Sequence, residues 1–176
     1  MRFLSFSFLL LLMLSCKKYH DPKPFTDDRL NTRKYCNDPA AINFNWDFPG
    51  YPDNNVCIYP SQIYSGDYLF YDTITDFLGN YKRNDSFDLH FSNLDSVHLN
   101  ISGFCGAKIF TARANRFLKF HLDTLFGYGQ VFCNTQDTIA LNGSKKDIAD
   151  TNSINIQYQI YTDTGIVYHY GTAIKK

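Results

Sequence analysis

The sequence predicts an all-β protein, built as an antiparallel meander of eight or nine strands. Its 176 residues contain no glutamate, so all 17 acidic residues are aspartate, and 15 more residues are asparagine. Asp and Asn compete with the helix backbone and favour turns, whereas Glu is a good helix former. Aromatic residues make up 17% of the chain, with 13 Tyr and 16 Phe, and these residue types favour strands.

Apolar and polar residues alternate in the second part of the chain, in segments of about eight residues separated by short turns. The clearest segment places Ile154, Ile156, Tyr158 and Ile160 on one face. The Thr-Asp-Thr-Gly that follows is typical of a hairpin turn. The segment 66–75 carries apolar residues at both odd and even positions, which predicts burial on both faces.

A chain of hairpins closes either as two packed sheets or as an up-and-down barrel. Regular alternation with one polar face fits both architectures. We favour a β-sandwich over a lipocalin-like barrel.

The N-terminus has the layout of a secretory signal, with Arg2 followed by the apolar block 3–14. That block is too short to span a bilayer, which needs about 20 residues. It ends in Leu-Ser-Cys, which resembles the lipobox of bacterial lipoproteins, although Met13 stands where leucine is usual. The resemblance implies that Cys16 receives a diacylglycerol and becomes the mature N-terminus, with palmitate among the attached chains.

Four segments are expected along the chain. They are a lipoprotein signal peptide (1–15), the lipidated cysteine with a flexible tether (16–35), a disulfide-bracketed, turn-rich module (36–60) and an antiparallel β domain (61–176). The tether is polar and interrupted by Pro22 and Pro24, as flexible linkers often are. Removing the signal leaves 16 basic and 17 acidic residues, so nothing indicates a nucleic-acid partner.

The Ser-Cys-Lys-Lys sequence and the proline-containing tether resemble lipoproteins of Bacteroidota-type Gram-negative bacteria. The resemblance implies a membrane-anchored protein of the bacterial cell envelope, at the outer membrane. One acyl chain holds a protein only marginally, whereas the two or three chains of a lipoprotein anchor it stably.

Four cysteines remain besides Cys16, an even number that predicts disulfides in an exported protein. Three pairings can be drawn. Cys36 and Cys57 bracket the turn-rich module, while Cys105 and Cys133 both lie in the β domain, so we predict these two pairs. A zinc site is the alternative, but the sequence contains no C-x-x-C pair.

The turn-rich module resembles a small module that recurs in Bacteroidota-type exported proteins. The matching residues are Cys36, Asp38, Ala41, Asn43-Phe44-Asn45, Asp53, Cys57 and Tyr59-Pro60. The usual Asp-Gly-Ser before the second cysteine is replaced by Asn-Asn-Val, and the insert Trp-Asp-Phe-Pro-Gly-Tyr-Pro is unusual. The resemblance implies membership of a surface lipoprotein group and implies no reaction.

The same module concentrates oxygen donors of the kind that calcium requires. The candidate ligands are Asp38, Asn43, Asn45, Asp47 and Asp53. Their spacing is not that of an EF-hand, and no glutamate is available to close a cage. The alternative is that they stabilise turns through their own backbone.

Two histidines are a second metal candidate. If Phe91 faces Val97 across a hairpin, then His90 lies directly opposite His98 on the outer face. Two facing imidazoles could hold a metal ion. The alternative is a pair of solvated strand histidines.

No catalytic motif or cofactor fingerprint is present, so the leading hypothesis is a non-catalytic binding or structural module. An exposed β face that binds glycan or protein is its specific form, with Tyr71, Tyr161 and Tyr168 as candidates for stacking on sugar rings. One alternative is a lipocalin-like carrier of a small apolar ligand, which barrel closure around a Phe-lined cavity would favour. Another is a small hydrolase that pairs an aspartate with His90, His98 or His121 in a cleft.

The lipid anchor is tested by replacing Cys16 with alanine. Because the thiol is the acceptor of the diacylglycerol, the variant is expected to lose both palmitate labelling in a bacterial host and partition into detergent. The unsubstituted chain, expressed in parallel, is the positive control. Continued labelling of the variant would show that the lipobox interpretation is wrong.

Overall fold

The computed structural model describes residues 27–123, 129–133 and 136–176, which form a small N-terminal module and a closed β-barrel. The module contains α1 (Arg29–Thr32), β1 (Lys34–Tyr35), β2 (Tyr51–Pro52) and a 3-10 helix (Asn54–Val56). The remaining strands are β3 (Gly66–Thr75), β4 (Tyr81–Asn93), β5 (His98–Ser102), β6 (Ile109–Asn115), β7 (Lys119–Leu122), β8 (Gln130–Val131), β9 (Thr138–Ser144), β10 (Ser153–Thr162) and β11 (Gly165–Lys175). None of the helices in these described residues has the length and apolar character that crossing a lipid bilayer requires.

The prediction of an all-β antiparallel meander is confirmed, but the preference for a sandwich is wrong. The barrel strands follow the chain order β3-β4-β5-β6-β7-β9-β10-β11, and the last strand, β11, pairs with the first, β3, to close the sheet. The short β8 pairs with β9 on the edge that also binds β7. Each of the eight strands therefore pairs with a neighbour on both sides, as in an up-and-down barrel, although β4 pairs with β5 only over residues 90–93.

The β10–β11 hairpin shows how the sequence sets the barrel wall. Its register runs without interruption from Ser153 opposite Ile174 to Thr162 opposite Gly165. Ile154, Ile156 and Tyr158 are buried inside, while Asn155 and Gln157 between them are exposed, as the alternation predicts. A two-residue turn therefore joins strands whose apolar faces both point into the barrel.

Three details of the strands differ from the sequence prediction. The strand β3 buries only one of its faces along most of its length, because the other face of a barrel wall meets solvent. The strand β4 spans 13 residues, Tyr81–Asn93, and is longer than the segments of about eight residues that the alternation predicts. The strand β9 continues through the Asn-Gly-Ser at 142–144, a sequence that by itself favours a turn, since these residues pair with β10.

One end of the barrel is filled by aromatic side chains, and we call it the closed end. Tyr64, from the segment that enters β3, is fully buried there and packs edge-on against Phe120 with ring centroids 4.8 Å apart. Phe91 packs in the same way against Phe120 and Tyr68. Such pairs contribute about 0.5–1.5 kcal/mol each beyond the area they bury. The opposite end, at the β3–β4 and β10–β11 turns, is the open end.

The N-terminal module begins earlier than expected. The tether was predicted to extend to residue 35, but β1 pairs in parallel with β2, and Lys34 forms an ion pair with Asp53 at 2.8 Å. The residues just before Cys36 therefore belong to the folded module. The module joins the barrel through Ser61, whose hydroxyl donates to the Asp95 carbonyl at 2.6 Å.

The closed end generates a stability prediction at Gly143, which faces Phe120 across the β7–β9 pair. A Cβ at residue 143 would lie 2.1 Å from the Phe120 ring. Because the ring is buried and cannot swing away, Gly143→Ala is expected to destabilise the protein by about 1–3 kcal/mol.

Urea unfolding of Gly143→Ala, Phe120→Leu and the double variant checks this prediction. The smaller side chain at residue 120 should relieve the overlap, so the double variant should be more stable than the sum of the single effects implies. The neighbouring Ser144→Ala serves as a control for a change in β9 away from the ring. Additive effects of the two substitutions would contradict the packing argument.

Candidate functional site

The interior of the barrel changes character halfway along β3 and β4. At the closed end the inward residues of β3 are aromatic, but the next inward position is Asp72. On β4 the inward residue directly opposite is Asp85. Two carboxylates therefore face each other across neighbouring strands, inside the open half of the barrel.

These residues line a cavity of about 350 Å³, which we call the recess. Its apolar side chains are Ile74, Phe87, Phe104, Phe132 and Ile160, and its polar side chains are Asp72, Arg83, Asp85, Tyr158 and His169. A volume near 300 Å³ or above is typical of small-molecule sites. The recess thus has an apolar wall with a few convergent polar groups.

Asp72 is the centre of the polar cluster, and its side chain is only 1% exposed. Its Oδ2 accepts a hydrogen bond from the Tyr158 hydroxyl at 2.8 Å and another from Nδ1 of His169 at 2.7 Å. Because a carboxylate can only accept, Nδ1 carries the proton in this pair. The Tyr158 and His169 rings stack with centroids 4.2 Å apart, so the three side chains form one rigid group.

The other oxygen of Asp72, Oδ1, is buried and has no hydrogen-bond partner in the described part of the chain. A buried acceptor without a donor costs about 1–3 kcal/mol. Such groups are rare in folded proteins and call for an explanation at each place where they occur.

Burial raises the pKa of Tyr158 well above its ordinary value, and the neighbouring Asp72 carboxylate raises it further. The phenol therefore stays protonated at any physiological pH. Its hydroxyl serves as a fixed donor to Asp72 and is not available as a base or nucleophile.

The second disulfide shapes the wall of the recess. Cys105 bonds to Cys133, and the residues immediately before them, Phe104 and Phe132, both line the recess. The Phe104 ring packs against Tyr158 with centroids 5.1 Å apart and against Phe87 at 5.5 Å. The covalent bond thus ties the β5–β6 connection to the chain beyond β8, and it fixes two aromatic walls.

A glycine makes this arrangement possible. Gly103 has a φ of +119°, a conformation that L side chains rarely adopt. A Cβ at this position would also lie 2.0 Å from the carbonyl oxygen of Asp88. The backbone can therefore turn sharply at the open end and direct Phe104 into the barrel.

Arg83 and the side chains around it form the rim. Arg83 is 71% exposed and its Nη2 lies 3.9 Å from Asp85, so the pair is a loose surface contact. Beyond it, the β3–β4 turn exposes the apolar side chains of Phe77 and Leu78.

Both predicted disulfides are confirmed, Cys36 with Cys57 and Cys105 with Cys133. Cys16 lies outside the described residues, so its lipidation stays a prediction. Among the residues that the structure describes, no group of three or more His, Cys, Asp or Glu is placed to hold a metal ion.

The five calcium candidates have individual roles in the module. Asp38 accepts from the Ala40 amide and the Tyr59 hydroxyl, both at 2.9 Å. Asn43 bridges the carbonyl of Val56 and the amide of Ile58. These contacts are of the turn-forming kind, directed at the protein's own backbone and side chains.

The other three candidates are also engaged locally. Asp47 forms an ion pair with Arg33 at 2.6 Å, and Asp53 caps the 3-10 helix through the Asn55 amide at 3.0 Å. Asn45 adopts a φ of +58°, a left-handed conformation that asparagine tolerates better than most residues. Calcium binding by this module stays a prediction.

The predicted facing of His90 and His98 is wrong. Asn93 pairs with Leu99, so His90 lies opposite Ser102. The reason is the length of the turn, which spans residues 94–97 and leaves Val97 outside the strand.

The two histidines have separate partners on the outer surface. Nδ1 of His90 lies 2.6 Å from Asp67, and Nδ1 of His98 lies 2.6 Å from Asp95. His121 is exposed on the outer face of β7, opposite Asn142. None of the three predicted hydrolase histidines therefore lines the recess.

The histidine that meets an aspartate inside a cavity is His169, which the sequence reasoning missed. The available signal was an interruption of the alternating apolar pattern. Asp72 stands between Phe70 and Ile74 on the inward face of β3, where an apolar residue is expected. A charged residue at a position predicted to be buried is a candidate functional residue.

The tyrosines predicted to bind sugars lie on the outer surface. Tyr161 and Tyr168 line a groove of about 410 Å³ on β9, β10 and β11, with Tyr170 and two glutamines. Tyr71 is exposed on β3, away from this groove. Glycan binding on this face stays a prediction.

No protein-family model matches the chain, and a search of curated proteins finds no match. Among solved structures, the chain is similar to a protein of unknown function from the DUF3598 family of Nostoc punctiforme, with 14% identity and a TM-score of 0.41. The match covers 66% of this chain and 49% of that protein, so the chain spans about half of its length. The function must therefore be argued from the site.

A calcium titration tests the module. Because the side chains of Asp38, Asn43, Asp47 and Asp53 already bond to protein groups, millimolar CaCl2 or EDTA is expected to leave the melting temperature of the full chain unchanged. A ligand specific to the native state would raise the melting temperature by mass action. A rise of several degrees with CaCl2 but not with MgCl2 would make these five residues calcium ligands.

Proposed function

We propose that this protein is a lipid-anchored envelope lipoprotein that binds a small molecule, largely apolar with a polar group, in the recess of its barrel. The observation that carries the proposal is the division of the interior. The closed half is packed with aromatic side chains, whereas the open half contains the Phe-lined recess, which is open to solvent and reaches the buried Asp72. Eight-stranded barrels are either filled by side chains or hold one small ligand.

The chemistry of the wall supports an apolar ligand body. Five of the lining side chains are aliphatic or phenylalanine, and the aromatic ones are held by neighbouring rings and by the Cys105–Cys133 disulfide. A site whose walls are fixed before binding loses less conformational entropy when the ligand enters. This favours a carrier over a surface that binds glycan or protein.

The same geometry argues against nucleophilic hydrolysis. Asp72 and His169 are within hydrogen-bond distance, as an acid–base pair would be. However, among the residues that the structure describes, the side chains that line the recess include no serine, threonine or free cysteine. The Tyr158 phenol is held protonated by its raised pKa, so it cannot replace them. We therefore assign the polar cluster to ligand binding.

The cellular location belongs to the same proposal. The lipobox-like sequence at Cys16 and the two disulfides both fit an exported protein of an oxidising compartment. A lipid anchor and tether would hold the barrel at the membrane surface with its recess accessible.

Binding is tested with an uncharged fluorescent probe such as N-phenyl-1-naphthylamine. Saturable binding to the full folded chain is expected. Ile160→Trp places a large ring in the recess, so it should weaken binding by at least about tenfold.

Gln157→Trp is the matched control, because residue 157 lies on the same strand but faces outward. It should bind the probe like the unsubstituted protein. Equal affinities in the two tryptophan variants, or no saturable binding at all, would refute a site inside the barrel.

A further inference from the structure

We propose that the recess selects ligands that carry a protonated amine, with the ammonium group bound between Asp72 and Asp85. This inference rests on the proposed binding function and adds the chemical class of the ligand.

The donors of the polar cluster are already engaged. The Tyr158 hydroxyl and Nδ1 of His169 both donate to the same oxygen of Asp72. The other oxygen, Oδ1, is buried without a donor in the described residues. When His169 is neutral, its remaining nitrogen is also an acceptor. Within the described part of the chain, the deep part of the recess therefore presents acceptors without a free donor, and a ligand that satisfies Oδ1 of Asp72 must supply one.

The charges of the recess point to a cationic donor. Asp72 and Asp85 are directly opposite each other on β3 and β4, and both carboxylates line the cavity. A cation close to two carboxylates is favoured over a neutral donor, because charge-assisted hydrogen bonds are stronger. An ammonium group has three donors and no acceptor, which matches a site made of acceptors.

The surrounding rings are compatible with the same group. Tyr158, Phe87 and Phe104 line the recess, and aromatic faces attract cations. The apolar wall would contact the remainder of the ligand. An amine attached to an aliphatic or aromatic body therefore fits the recess better than an inorganic cation, and the described residues provide no three-ligand metal cluster.

Arg83 raises the competing case of a ligand with a carboxylate. Its guanidinium is 71% exposed at the rim and lies near Asp85, whereas Asp72 is deep and buried. A carboxylate drawn inward past Arg83 would meet two like charges. The positions of the charges along the recess thus favour amines over acids.

Three ligands of equal chain length distinguish these classes: octylamine, octanol and octanoate, each titrated calorimetrically into the full folded chain near neutral pH. Octylamine is expected to bind at least about tenfold more tightly than octanol, and octanoate more weakly than both. Equal affinities for the amine and the alcohol would overturn the inference and leave the carrier function standing. If none of the three ligands binds and the fluorescent probe does not bind either, both the amine preference and the carrier function would be overturned.

Two substitutions locate the preference. Asp72→Asn and Asp85→Asn should each reduce the ratio of amine to alcohol affinity by about tenfold while octanol binding is retained. Asp85 is the second variant because it is half-exposed, so its replacement should leave folding intact if Asp72→Asn does not fold.

Asp88→Asn is the control, since Asp88 lies on the same strand but its exposed carboxylate pairs with Lys176 outside the barrel. It should keep the full preference. A loss of preference in this variant equal to that in Asp85→Asn would mean that the amine responds to general surface charge, which would overturn the inference.

Discussion

The last strand, β11, pairs along eight residues with the first barrel strand, β3, from Tyr168 opposite Thr75 to Lys175 opposite Tyr68, and this pairing converts a meander of hairpins into a barrel. Once the sheet is closed, every inward residue shares one interior. Eight strands leave room only for packed side chains or for one small ligand. The inward residues of β3 and β4 determine which of these two fills each half of the interior. Aromatic side chains lie toward the closed end, and Asp72 lies opposite Asp85 toward the open end.

The two halves of the interior therefore have different physical roles. The aromatic cluster around Phe120 buries apolar surface and supplies stability. The open half gives up part of that stabilisation, because Asp72 is buried with one oxygen lacking a donor, at a cost of about 1–3 kcal/mol. Proteins generally tolerate such departures from good packing at functional sites. The packing of the closed half offsets the free-energy cost of burying Asp72. The hydrogen bonds from Tyr158 and His169 hold the Asp72 carboxylate in one orientation.

The sequence predicted the strands well because alternation is a local property. Ile154, Ile156 and Tyr158 point inward as expected, and the disulfide pairs follow from which cysteines share a segment. Closure could not be predicted in this way, since it depends on the pairing of β11 with β3, the two ends of the meander, and on the accumulated twist of all the strands.

The strand register and the location of the site were harder to predict, because local alternation determines neither of them. The His90–His98 hypothesis failed because the length of the 94–97 turn is not fixed by the pattern of apolar residues, and a different turn changes every pair. Asp72 and His169 are 97 residues apart in sequence and meet only because β11 pairs with β3. In the local sequence, the site was indicated only by Asp72, an aspartate among inward-facing apolar residues.

The two disulfides act at different levels of this organisation. Cys36–Cys57 holds a module whose few buried side chains could not maintain a fold alone. Cys105–Cys133 lies in a barrel that strand pairing and an aromatic core already stabilise, and the residues beside it are the recess walls Phe104 and Phe132. Its main contribution is therefore to the shape of the site. Since both bonds require an oxidising compartment, the shape of the recess depends on the export that the leader sequence predicts.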